Sequence, residues 1–127
     1  MFHPNTLKEC TIASMNSAPV TADGNSSAFD LLGYEGQVAI VLNVGDPTAG
    51  TNPTLAVKLQ HCDTSGGSYT DVSGGGFTSY TTTGSLQTLV LDASVLKRYV
   101  EFNFDIGGTM SPSFPVGACL VGQKKYQ

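Results

Sequence analysis

The sequence has no tryptophan, and charged side chains make up only 13% of its 127 residues. Without Trp, a sugar-stacking platform would have to come from Tyr34, Tyr69, Phe77 and Tyr80. Tyr69 and Phe77 fit core or edge packing at least as well. Cations are few and scattered, as Lys8, Lys58, Lys97, Arg98, Lys124 and Lys125, against a net charge of −4. Nucleic-acid binding needs clustered cations that neutralise phosphates, so no direct nucleic-acid partner is expected. No stretch approaches the roughly 18 apolar residues that a membrane helix requires, so no membrane partner is expected either.

Chemistry-bearing patterns are equally sparse. The three cysteines, Cys10, Cys62 and Cys119, form no C-x-x-C pair, which leaves a zinc or redox motif without support. Met1-Phe-His-Pro-Asn lacks the basic start of a secretion signal and no apolar run follows it. Free thiols in a reducing cytoplasm are therefore the expectation. His61 and Cys62 are neighbours, but adjacent strand residues point to opposite faces and cannot act as a nucleophile–base pair. The stretch Asp63-Thr-Ser-Gly-Gly-Ser-Tyr-Thr-Asp71 offers two carboxylates where calcium wants six to eight oxygens, and reads as a solvated hairpin. No catalytic residue, metal or cofactor is assigned, and an enzyme is not expected.

What the chain does have is 15 glycines, frequent Thr and Ser, and clean alternation. In Arg98–Gly107, Val100, Phe102, Phe104 and Ile106 share one phase while Tyr99, Glu101, Asn103 and Asp105 share the other. That is an antiparallel strand with one dry and one wet face, and its dry face demands a second sheet above it. Leu55, Val57 and Leu59 repeat the pattern, as do Phe114, Val116, Ala118 and Leu120. Val38–Val44 is nearly all apolar, which suggests cover on both faces: a core on one and a subunit contact through Val41 on the other. Gly45–Pro53 reads as a loop of turn formers, with both prolines barring the ladder. Asp92-Ala-Ser-Val-Leu reads as a single helical turn capped by Asp92.

About eight strands with turn signals between them imply an all-β, antiparallel sandwich of jelly-roll or immunoglobulin-like type over residues 21–127. Residues 1–20 lack a period of 2 or 3.6. Yet they carry Phe2, His3, Leu7, Ile12 and Met15, and an exposed terminus has little reason to hold such side chains. An extended arm that buries them on a neighbouring subunit is the expectation.

Leu32-Gly-Tyr-Glu-Gly, Pro53-Thr-Leu-Ala-Val-Lys-Leu-Gln-His-Cys-Asp, Leu96-Lys-Arg-Tyr-Val and Leu120-Val-Gly-Gln-Lys-Lys resemble small virion proteins of tailed bacteriophages, several of them head decoration or cement proteins. The resemblance spans about residues 28 to 125, rests on strand patterns, and brings no catalytic residues with it. It implies a sandwich bound to the outside of an icosahedral shell, with the major capsid protein and its own copies, as dimer or trimer, for partners. A tail or surface adhesin recognising a host glycan is the competing expectation, and it requires an exposed aromatic groove near Tyr34, Tyr69 or Tyr80.

Overall fold

The computed structural model describes residues 10–16 and 18–124, with residues 10–16 and 124 described by their backbone. In chain order the elements are β1 (Cys10–Asn16), β2 (Gly24–Asn25), β3 (Phe29–Asp30), β4 (Tyr34–Val44), β5 (Ala49–Cys62), β6 (Thr70–Gly76), β7 (Ser85–Asp92), a 3-10 turn (Ala93–Val95), β8 (Tyr99–Ser113) and β9 (Val116–Lys124).

The strands form two antiparallel sheets. The first runs β1-β9-β4-β7 and the second β2-β8-β5-β6, with β3 continuing β2 along the same edge of β8. Apart from β2–β3 and the β5–β6 hairpin, every connection crosses from one sheet to the other. That winding is a jelly roll. An immunoglobulin sandwich would divide its strands differently, so strand order decides between the two forms that the spacing left open.

Alternation along the strands becomes the core between the sheets. Val38, Ile40, Leu42 and Val44 from β4 and Val116, Ala118 and Leu120 from β9 face Leu55, Val57 and Leu59 from β5 and Val100, Phe102 and Phe104 from β8, all buried. Phe102 is fully enclosed, its ring stacked 6.2 Å from Phe104 and tilted 5.9 Å from Phe77. Burying a side chain of that size stabilises the fold by roughly 1.5–3 kcal/mol. Between β7 and β8, the Asp92 carboxylate accepts a hydrogen bond from Ser94 N at 2.9 Å and caps the turn, as the sequence pattern predicts.

Two expectations change. Within the stretch set apart as an arm, Cys10–Asn16 pairs with β9 of its own sheet, from Cys10 opposite Gln123 to Asn16 opposite Ala118. Backbone groups supply those bonds, so side-chain periodicity gave no sign of them. Val20 is likewise drawn into the body by paired hydrogen bonds with Phe114. The predicted loop at 45–53 is in part an extension of β5, because register shifts on either side of Thr51 carry the pairing past Pro53. The far side of β4, expected to meet another subunit through Val41, carries Ala39 and Val41 partly exposed in the single chain.

Candidate assembly surface

The jelly roll has two outward-facing sheet surfaces, and they differ in chemistry. On the first sheet, directly opposed residues share a face, so pairing defines its rows. These are Val90–Ala39–Val121, Thr88–Val41–Cys119 and Leu86–Asn43–Gly117. None of the nine carries a charge. Leu86 and Val90 are 63% and 57% exposed, among the most exposed large hydrophobic side chains of the described residues. Val41 lies at the centre of this grid. At the β9 margin, Ile12 is opposite Val121 and Ser14 opposite Cys119 in backbone register.

On the second sheet the outer face is a hydrogen-bonded lattice of polar side chains. Lys58 pairs with Asp71 at 3.1 Å, and Gln60 donates to the same carboxylate at 2.8 Å. Together they hold the Asp71 carboxyl below its usual range, Gln60 contributing first. Asn103 donates to Asn25 at 2.8 Å. At the β3 edge, Arg98 makes a two-pronged contact with Asp30, Nε to Oδ1 at 3.0 Å and Nη2 to Oδ2 at 2.9 Å. The guanidinium also lies 5.0 Å above the Tyr99 ring centre. Arg98 accordingly lowers the Asp30 pKa. Glu101 departs from its surroundings: predicted on the wet phase, it is only 8% exposed, and loss of hydration raises its pKa. The neighbouring Tyr69 hydroxyl is buried and has no hydrogen-bond partner among the described residues.

The sequence-derived contact residues fall out unevenly. Val41 is on the uncharged face. Phe2, His3 and Leu7 lie outside the described residues, and Ile12 and Met15 sit on β1 with only their backbone placed. The β7 side chains Leu86 and Val90 were missed as surface candidates, although Leu86-Gln-Thr-Leu-Val-Leu91 has apolar residues on both phases and no charge. Of the aromatics considered for a glycan groove, Tyr34 and Tyr80 are buried, the Tyr80 hydroxyl donating to Ser85 O at 3.3 Å. His61 and Cys62 do not meet: His61 Nδ1 accepts from Lys97 N, while the Cys62 thiol lies 3.7 Å from the Thr64 hydroxyl. An open cleft of about 330 Å³, lined by Pro19, Asn43, Gly45, Pro115, Val116 and Gly117, presents no titratable side chain.

No protein-family model matches the sequence, and no curated protein matches it. Solved structures share its fold. The SPBc2 prophage-derived protein YomS superposes with a TM-score of 0.51 at 13% identity, over 88% of this chain and 92% of that one. A chain from infectious bursal disease virus, Gt strain, gives 0.53 at 11% identity, over 93% of this chain and 33% of that one. The present chain therefore spans about a third of the viral chain's length. At these identities the likeness is one of fold.

Proposed function

We propose that this chain is a structural protein of a virion. Within that class we assign it to the decoration or cement type, seated on the exterior of a tailed-phage head and bridging major capsid subunits. The observation that carries the reading is the uncharged outer face of the first sheet, with Val41 at its centre and Leu86 and Val90 exposed beside it. A face of that kind is costly to leave in water and gains from being covered by a partner. The jelly-roll fold, shared with a prophage-derived protein and a viral chain, supports the same class. Fold alone does not select a function, so the surface carries the weight.

In this reading the first sheet meets the shell, and the polar lattice of the second sheet faces solvent. Residues 1–9, with Phe2, His3 and Leu7, are an additional contact to a neighbouring subunit. Many copies on one shell, each with modest affinity, hold it together through effective concentration, and self-association adds to this. Quantitative mass spectrometry of purified particles tests the reading. A copy number in fixed proportion to the shell subunit is the expected result. A handful of copies per particle would instead fit a tail component and overturn the cement assignment.

A further inference from the structure

We propose that two copies of this chain pair through β7, edge to edge and antiparallel about Thr88, joining their first sheets into one continuous sheet of eight strands. The proposal deepens the reading above, resting on it only for the premise that the chain associates with itself.

β7 pairs with β4 on one side without a register break, from Gln37 opposite Asp92 to Val44 opposite Ser85. On its other side it has no strand among the described residues. Proteins blunt such edges with proline, lysine, bulges or brevity, because unpaired N–H and C=O groups invite another strand. The remaining edges show those devices. β2 and β3 are two residues each, β6 shifts register against β5 and contains three glycines, and β1 shifts register between Ser14 and Asn16. β7 has none of them between Ser85 and Leu91, and its first charge is Asp92, already engaged in capping the turn.

Its side chains then select a second copy as the occupant. Antiparallel pairing centred on Thr88 sets Leu86 opposite Val90 of the other copy, Val90 opposite Leu86, and Thr88 opposite Thr88. Apolar meets apolar and hydroxyl meets hydroxyl, the combinations that favour cross-strand pairing. Leu86 and Val90, exposed in the single chain, cover each other. Sliding the pair by one step of two residues in one direction would bring Leu86 against Asp92, so chemistry also disfavours that register. Gln87 is fixed by paired hydrogen bonds to the Thr78 backbone, 2.9 Å each, which leaves it unable to swing across the edge. A contact of some seven residues along one edge is smaller than the roughly 800 Å² per partner of a standard interface, so the dimer dissociates on dilution.

Sedimentation equilibrium of the full chain over a range of concentrations, with Thr88→Lys, Thr88→Glu and their equimolar mixture, tests this. Each variant alone places like charges face to face on the axis and weakens association by roughly tenfold, with an unchanged thermal melt because Thr88 is exposed. Mixing the two restores association. Val90→Lys, which opposes Leu86, is a second variant expected to weaken the dimer. A wild-type chain that stays monomeric at high concentration overturns the proposal and leaves the virion reading to its own copy-number test. Variants that associate as well as wild type overturn the choice of edge, and a mixture that fails to recover overturns the two-fold register.

Discussion

The two sheets of this molecule share one core and turn opposite chemistries outward. Behind Ile40 and Leu42 the outer side is Ala39, Val41 and Asn43; behind Val57 and Leu59 it is Lys58 and Gln60, tied to Asp71. Inward phases on both sheets are equally apolar, so the difference is not needed for folding. Under the proposed function, stability and partner choice occupy different phases of the same strands. A substitution on an inner position should therefore unfold the protein, and one on an outer position of the first sheet should leave it folded but unattached.

Several substitutions break or sharpen that contrast, in descending order of effect. Phe102→Ala removes the ring enclosed beneath the second sheet and should cost roughly 3–5 kcal/mol in a denaturant titration. A loss under about 1 kcal/mol would mean that the inner phase carries less than its burial implies. Glu101→Gln tests an acid that, alone among the described residues, is buried on the otherwise wet face. Its folded pKa is raised above the ordinary glutamate value by lost hydration. The wild-type carboxyl therefore costs stability as pH rises through the folded pKa, and is harmless below the unfolded one. The variant should melt above wild type near neutral pH and match it below about pH 4; equal melting at both would contradict the burial. Asp30→Asn loosens the Arg98 clamp, whose partners are exposed by about two-fifths. After allowance for solvent screening, the expected loss is roughly 1 kcal/mol or less. Because the Asp30 pKa is lowered, that contribution is present at neutral pH and lost as pH falls through the folded value, so wild type and variant should converge in acid.

The layers are legible in the alternation of side chains along the sequence. Val100, Phe102 and Phe104, then Leu55, Val57 and Leu59, then Phe114, Val116, Ala118 and Leu120 all point inward as their phase predicts. What alternation cannot report is the neighbour: a strand's face is written in its own side chains, whereas its partner is set by backbone bonds common to every residue. The choice of jelly roll over immunoglobulin form, the seating of Cys10–Asn16 on β9, and the extension of β5 through Pro53 were hidden for that reason. Burial of Glu101 was hidden too, because its phase is wet elsewhere along β8. The surface was half legible: the continuous apolar run at Val38–Val44 pointed to Val41, but pairing was needed to bring Leu86, Val90 and Val121 around it.

Under the proposed function, the uncharged sheet face is the one that meets other subunits. Val41→Lys and Ala56→Lys place the same charge at the middle of each outer face, both at solvent-accessible positions. Occupancy on particles should fall for Val41→Lys and persist for Ala56→Lys, with both proteins melting near wild type. Full occupancy with Val41→Lys, or loss confined to Ala56→Lys, would contradict it.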